Sequence, residues 1–191
     1  FEAPPGDGWR PHPGPQSFLL ALWDVFEALF GGARGGGKTD TGMAWLVKAP
    51  HFGHPKYRAL VLRRNFEDLC DWMDRAGRMY SALGGRVISS GKARVEFENG
   101  AVFRCGHLKD KDAYTKYQGH EYQRLLLEEA GQIPDESRYE LLQGSCRSTI
   151  PGVPAQILLT ANPGGVGHRW LKERFGCGKG DVRKPNVAYP G

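Results

Sequence analysis

The segment from Gly32 to Thr39 reads Gly-Ala-Arg-Gly-Gly-Gly-Lys-Thr and fits the pattern G-x-x-x-x-G-K-[ST] at every position. It follows an apolar run, Val25 to Phe30, and precedes a segment with helical character, Thr39 to Lys48. Glycines allow successive backbone N–H groups to face an anion, and the start of the following helix adds its positive dipole end. The sequence therefore predicts a phosphate-binding loop between a strand and a helix.

The residues of this loop have expected roles toward a nucleotide. Lys38 is expected to neutralise the β- and γ-phosphates, and the Thr39 hydroxyl to bind the Mg²⁺ that accompanies ATP. Arg34 is a candidate for sensing or stabilising the γ-phosphate within the same subunit. The predicted nucleotide-binding residues of the loop are Gly32, Ala33, Arg34, Gly35, Gly36, Gly37, Lys38 and Thr39.

A second motif is a short apolar strand, Leu125 to Leu127, that ends in two acids. In a P-loop ATPase the first acid helps to hold Mg²⁺, generally through a bound water, and the second orients or deprotonates the attacking water. We therefore assign Glu128 to the metal and Glu129 to catalysis. Glutamate at position 128 is unusual, because aspartate is commoner at the metal position.

A third motif lies where the predicted strand Gln156 to Thr160 ends. Thr160, Ala161 and Asn162 precede Pro163 and two glycines. Hydroxyl and amide groups at such a strand end are suited to sense hydrolysis of the γ-phosphate and to pass it on. Asn-Pro-Gly is also ordinary turn chemistry, so the motif alone does not decide between these interpretations.

The remaining pattern predicts an α/β fold with a mainly parallel sheet covered by helices on both faces. Apolar strands alternate with amphipathic stretches, and Asn99-Gly100 indicates a hairpin within a meander. The further predicted strands are Tyr57 to Leu62, Arg86 to Ser89, Ala93 to Glu98 and Ala101 to Cys105. The predicted helices are a short one at Phe18 to Trp23, Thr39 to Lys48, one from Asn65 to about Leu83, and one from Asp135 to about Gln143.

The composition suggests one domain between two irregular ends. Residues 1–17 contain five prolines and three glycines and predict an extended arm, and residues 176–191 predict a loose tail or linker. Residues 18–175 are the expected ATPase domain. The net charge of +5 is compatible with a polyanionic partner, and no run approaches the roughly 18 apolar residues that a membrane span needs.

Seven short motifs occur in an order that resembles the N-terminal ATPase domain of tailed-bacteriophage large terminase subunits, the motors of DNA packaging. The resemblance covers roughly residues 11 to 175. The motifs are Pro13-Gly14-Pro15-Gln16, Gly31 to Thr39, Val61-Leu62-Arg63-Arg64, Glu98-Asn99-Gly100, Tyr117-Gln118-Gly119, Leu127 to Ala130 and Thr160 to Pro163.

The resemblance implies a P-loop fold with an additional strand between the phosphate-loop strand and the acid-bearing strand (the ASCE type). It also implies that Gln16 reads the adenine edge and that Thr160, Ala161 and Asn162 couple hydrolysis to DNA movement. The implied partners are double-stranded DNA, a portal protein, a small terminase subunit and other copies of the chain in a ring, with a monomer possible in isolation. The implied location is the host cytoplasm, at the procapsid portal.

The chain departs from the family pattern at two positions. Glu128 replaces the usual aspartate, and Gln118 stands where an arginine often enters the neighbouring subunit's site. Gln118 has no charge with which to stabilise a phosphoryl transition state. Arg147 is the favoured candidate for an arginine that acts in trans. If the site is complete in one subunit, Arg34 acts in cis. The other candidate cations are Lys116, Arg138 and Arg169.

Other interpretations stay open at this stage. Arg63 and Arg64 follow a strand and could contact phosphate, DNA or a neighbour, or form plain surface charge. The chain could also be another nucleic-acid ATPase such as a helicase or translocase, or a nucleotide-gated assembly module with little turnover. We expect no nuclease activity and no nuclease domain in this chain, because only Asp181 follows Phe175 as a further acid.

Overall fold

The fold is that of a computed structural model, which describes residues 9–177. Seven strands and five α-helices occur along these residues, and the helix positions agree with the sequence pattern except at the points noted below. The strands are β1 (Glu27–Gly31), β2 (Arg58–Arg63), β3 (Gly85–Ile88), β4 (Arg94–Phe97), β5 (Val102–His107), β6 (Arg124–Leu127) and β7 (Gln156–Ala161). The helices are α1 (Pro15–Ala21), α2 (Lys38–Leu46), α3 (Leu69–Tyr80), α4 (Glu136–Gln143) and α5 (His168–Phe175).

The strands form one sheet in the order β1-β7-β6-β2-β5-β4-β3. The first five strands of this order pair in parallel, whereas β3, β4 and β5 form an antiparallel meander. β7 lies between the strand before the glycine-rich loop and the strand before the two acids. This confirms the predicted fold class, including the additional strand.

Two hydrophobic cores lie on opposite faces of the sheet because alternate residues of a strand point to opposite sides. In β2, Ala59 and Val61 pack into the first core, together with apolar residues of α1, α2 and α3. Leu60 and Leu62 pack into the second core, with residues of α4 and α5. Both faces are therefore covered, as the continuous apolar strands predict. Among residues 9–177, every helix is too short or too polar to cross a bilayer.

Two predicted boundaries are wrong. The extended arm was expected to reach residue 17, but α1 begins at Pro15, where proline's fixed φ suits the first helical turn and its missing N–H leaves no unsatisfied donor. Asn65 does not cap α3. The cap position is Asp68, and the Asn65 amide donates instead to the Asp68 carboxylate at 3.1 Å.

The sequence pattern does not predict α5. Its eight residues carry four charges, and only Trp170 and Leu171 are buried, so its apolar stripe is short. Gly176 ends the helix in the left-handed conformation. The predicted tail beyond residue 177, like the first eight residues of the arm, lies outside the described residues.

Candidate nucleotide-binding site

The three predicted motifs meet at one edge of the sheet because parallel strands end at the same edge. β1 and β7 are in register through Gly31 and Ala161, and Gly32 N donates to Ala161 O at 3.2 Å. β6 pairs with both β7 and β2 up to Leu127, immediately before the acids. Tertiary structure therefore brings residues 32–39, 128–129 and 160–162 together from distant parts of the chain.

Residues 34–39, Glu129 and residues 160–162 from these segments line a cleft of about 560 Å³. Its wall also contains Arg75 from α3, as well as Gly131 and Gln132 from the turn that follows the acids. The wall residues are Arg34 to Asp40, Arg75, Glu129, Gly131, Gln132 and Thr160 to Gly165.

The glycine-rich loop has the backbone that its sequence predicts. Gly35 and Gly37 have positive φ angles of 80° and 65°, and Gly37 directly precedes α2. Lys38 Nζ donates to Gly32 O at 3.0 Å and to Ala33 O at 2.6 Å, so its ammonium group lies across the loop. Partial burial lowers the pKa of Lys38, while the negative charge of Glu129 opposes this shift.

Gln16 lies against the loop rather than on an open arm. Its side chain is buried, its Nε2 donates to Gly36 O at 3.1 Å, and its Oε1 accepts from His12 N at 2.8 Å. A Cβ at Gly37 would come within 2.6 Å of Gln16 Nε2. Glycine is thus needed at 37 both for its φ and for this close approach. The adenine-reading role of Gln16 stays a prediction.

The first acid, Glu128, is fully buried. Its Oε2 accepts hydrogen bonds from Arg63 Nε at 3.0 Å and Nη2 at 2.7 Å, and its carboxyl group also interacts with the Thr39 side chain. Burial raises the pKa of Glu128, and the charge of Arg63 acts in the opposite direction. Within residues 9–177, Glu128 Oε1 has no hydrogen-bond partner. Arg63 is therefore not surface charge.

The second acid, Glu129, has a left-handed backbone with φ 53° and ψ 41°. Among the non-glycine residues that the structure describes, it alone has a positive φ, a conformation that costs about 1–2 kcal/mol. Its N–H donates to Thr160 Oγ1 at 3.3 Å, and its Oε2 accepts from Gln132 Nε2 at 2.6 Å. These contacts hold the carboxylate at the cleft wall, and strain at such a position is typical of functional sites.

The third motif packs against the turn that carries the acids. Gly167 N donates to Gly131 O at 2.8 Å, and a Cβ at Gly165 would lie 2.6 Å from the same oxygen. Asn162 lines the cleft, and its buried Oδ1 has no hydrogen-bond partner in the described part of the chain. The segment continues into α5, where Trp170 Nε1 donates to Ile133 O at 2.8 Å.

The arginine candidates occupy different places. Arg34 is exposed on the loop and lines the cleft. Arg147 is exposed at the opposite edge of the sheet, where its N–H donates to Tyr122 O just before β6 begins. Arg147 is therefore remote from the cleft of its own subunit, and any catalytic role for it would be in trans.

Two cleft residues, Gln132 and Arg75, lie outside the three sequence motifs. Gln132 lies three residues after Glu129, and side chains at this spacing are neighbours on a helical turn. The spacing alone could therefore have predicted a contact between the two side chains. Arg75 donates to Asp40 Oδ1 and to Asp71 Oδ2, both at 3.1 Å. Arg75 lies on the polar face of an amphipathic helix, and no local pattern distinguishes it from solvated arginines.

The sheet order, the glycine-rich loop and the paired acids together define a P-loop fold of the additional-strand type. Several solved structures have a similar fold. The chain is similar to the large terminase of a thermophilic bacteriophage, with a TM-score of 0.66 and 18% identity over 87% of this chain. It is also similar to the large terminase ATPase domain of Thermus phage P74-26, with a TM-score of 0.65 and 15% identity over 95% of this chain.

A third similar structure is the N-terminal domain of the DNA packaging ATPase from bacteriophage phi29, with a TM-score of 0.56 and 12% identity over 92% of this chain. This chain has the fold of phage large terminase ATPase domains. It spans 42% of the thermophilic phage terminase, 75% of the P74-26 domain and 96% of the phi29 domain. The thermophilic phage terminase has also been solved with ADP and with ATP-gamma-S. No protein-family model and no curated protein sequence matches the chain.

Proposed function

We propose that the chain is the ATP-hydrolysing motor domain of a viral large terminase subunit, which drives double-stranded DNA into a preformed capsid. The observation that carries the proposal is the cleft in which the phosphate loop, Glu129 and the Thr160–Asn162 segment meet. The terminase fold supports the same proposal. The expected partners are duplex DNA, a portal protein, a small terminase subunit and further copies of this chain in the host cytoplasm.

In the proposed reaction, the backbone N–H groups of the loop bind the phosphates and Lys38 transfers its contacts from Gly32 O and Ala33 O to the β- and γ-phosphates. Glu129 orients a water for attack on the γ-phosphorus and accepts its proton, while the bond from the γ-phosphorus to the bridging oxygen breaks and ADP leaves. Gln132 holds the Glu129 carboxylate in reach of that water.

The residues near Thr39 fit the Mg²⁺ that accompanies ATP. Mg²⁺ prefers oxygen ligands and keeps several of its waters. The Thr39 hydroxyl is such an oxygen, and so is Glu128 Oε1, which has no hydrogen-bond partner among the described residues. When bound, the ion would neutralise charge on the β- and γ-phosphates. Thr39 would contact the ion directly, and Glu128 would hold one of its waters.

Coupling to DNA movement is proposed to run through the third motif. Thr160 contacts the backbone of Glu129, and Gly167, at the start of α5, is bonded to Gly131 in the turn after the acids. A change at Glu129 would thus alter the position of α5 through direct contacts. Within residues 9–177, the buried Oδ1 of Asn162 has no hydrogen-bond partner. Asn162 is therefore suited to sense whether the cleft is occupied, because a bound ligand could supply the missing partner.

The coupling predicts that the affinity for duplex DNA differs between the ATP-gamma-S and ADP states. The difference should be at least about fivefold, the lower end of typical coupling between sites. Asn162→Ala should abolish the difference while keeping nucleotide binding. Fluorescence anisotropy with duplexes of unrelated sequence measures the affinity at fixed salt, because phosphate contacts depend steeply on salt.

Equal duplex affinity in the two nucleotide states would contradict the motor proposal. Two further assays separate the other interpretations. Strand displacement from a forked duplex would favour a helicase, and bound ATP without single-turnover hydrolysis would favour an assembly module. The predicted lack of nuclease activity is checked by incubating plasmid DNA with Mg²⁺ or Mn²⁺.

The missing charge at Gln118 predicts slow hydrolysis by the isolated chain and acceleration on assembly. A trans arginine adds about 10³–10⁵ in rate in related P-loop enzymes. If Arg147 supplies it, specific activity should rise with protein concentration. A mixture of Lys38→Ala and Arg147→Ala proteins should then be more active than either alone, since each supplies what the other lacks.

The alternative outcome identifies a site complete in one subunit. Turnover that is independent of concentration, and that is lost in Arg34→Ala but kept in Arg147→Ala, would exclude the trans role. Phosphate release measured over a wide range of protein concentrations distinguishes the two results.

A further inference from the structure

Arg63 occupies a buried position between the metal acid and the start of α3. It is the last residue of β2, only 8% exposed, whereas its neighbour Arg64 is exposed. The parallel register pairs Leu62 with Leu127, so the next residues, Arg63 and Glu128, leave adjacent strands side by side. Residues at matching positions of paired strands point to the same face. The sheet therefore forces this arginine and this glutamate together.

All three guanidinium nitrogens of Arg63 are used. Nε and Nη2 both donate to Glu128 Oε2, and Nη1 donates to Asp68 O at 2.5 Å. The planar guanidinium group is thus fixed at both ends, and it fixes one carboxylate oxygen in turn. The other oxygen, Oε1, is buried without a partner among the described residues.

An unpartnered oxygen on a buried, ion-paired carboxylate is costly unless a ligand uses it. Glutamate also has one more rotatable bond than the aspartate commoner at this position, so its carboxylate needs more constraint. We propose that Arg63 is a positioning residue: by binding Oε2 it holds Glu128 so that Oε1 remains available to the hydration shell of the nucleotide's Mg²⁺. This inference rests on the proposed nucleotide site, but not on DNA movement.

The inference predicts a specific effect on the requirement for Mg²⁺. Arg63→Met keeps most of the length of the side chain but removes its donors. The Mg²⁺ concentration for half-maximal tightening of ATP-gamma-S binding should rise about 10- to 100-fold, as for lost outer-shell partners of metal ligands. Binding of the nucleotide in EDTA should change less than about twofold. Arg64→Met is the matched control and should leave both values unchanged.

A folding control is needed because Arg63→Met leaves a buried charge without its partner. Arg63→Lys keeps the charge but supplies a single donor group, so we expect a rise in the Mg²⁺ requirement smaller than for methionine. The Arg63→Met/Glu128→Gln double variant has no unpaired charge, and its Mg²⁺ requirement should match that of Glu128→Gln alone. Thermal melting checks that each variant is folded.

The outcomes separate this inference from the proposed function. An unchanged Mg²⁺ requirement in folded Arg63→Met or Arg63→Lys protein would overturn the positioning role, even if hydrolysis fell. Equal losses of nucleotide binding with and without Mg²⁺ would also overturn it. A raised Mg²⁺ requirement would support it even if no DNA-coupled turnover were found.

Discussion

Lys38→Ala is expected to abolish detectable ATP hydrolysis. Negative charge accumulates on the phosphate oxygens in the transition state, and Lys38 is the cation of the G-K-[ST] pattern that the loop places there. Loss of one preorganised group that stabilises such charge typically costs about 10²–10³ in rate, and weaker binding of the β-phosphate adds to this. Phosphate release at saturating Mg-ATP measures the effect.

The fold should survive this substitution. The Lys38 ammonium group is bonded to two loop carbonyls at a solvent-accessible site, so its removal leaves no buried charge. Lys92→Ala, a change at an exposed lysine in the β3–β4 turn, is the matched control and should hydrolyse ATP normally. Wild-type turnover in folded Lys38→Ala protein would refute the ATPase proposal.

Glu129→Gln should keep Mg-ATP binding but lose hydrolysis by roughly two or more orders of magnitude. Glutamine preserves the size of the side chain and can still accept the bond from Gln132, but it cannot take a proton from water. Single-turnover hydrolysis measures the loss, and binding of ATP-gamma-S measures what is kept.

Glu128→Gln is the comparison that tests the assignment of the two acids. It should raise the Mg²⁺ requirement because glutamine removes the negative charge near the metal. If Glu128→Gln instead abolished turnover at saturating Mg²⁺ while Glu129→Gln had no effect, the two assignments would have to be exchanged.

The local elements and the phosphate loop could be predicted because short-range chemistry determines them. The glycines of residues 32–37 allow a backbone whose N–H groups can face an anion, and the apolar runs before the loop and the acids predict buried strands. The additional strand was expected only through the family resemblance that the order of the motifs carries. The order and spacing of residue types along the chain are therefore enough to predict the glycine-rich loop and the buried strands.

The partners of the site residues could not be predicted in this way. Nothing in the sequence shows that Gln16 and Arg63 are buried, yet each packs against a segment far along the chain, at Gly36 and Glu128 respectively. Helix α5 has too short an apolar stripe to be recognised before its contacts with Ile133 are known.

The sequence by itself determined that a glycine-rich loop lies between a strand and a helix and that two acids follow a short apolar strand. Only the tertiary structure decided which oxygen of Glu128 is paired, that Gln132 holds Glu129, and that Arg147 lies away from its own cleft. The physical reason is that a side chain's charge and shape are local properties, whereas its burial and partners depend on strand register. Here the register of β2 against β6 brings together two residues that are 65 positions apart.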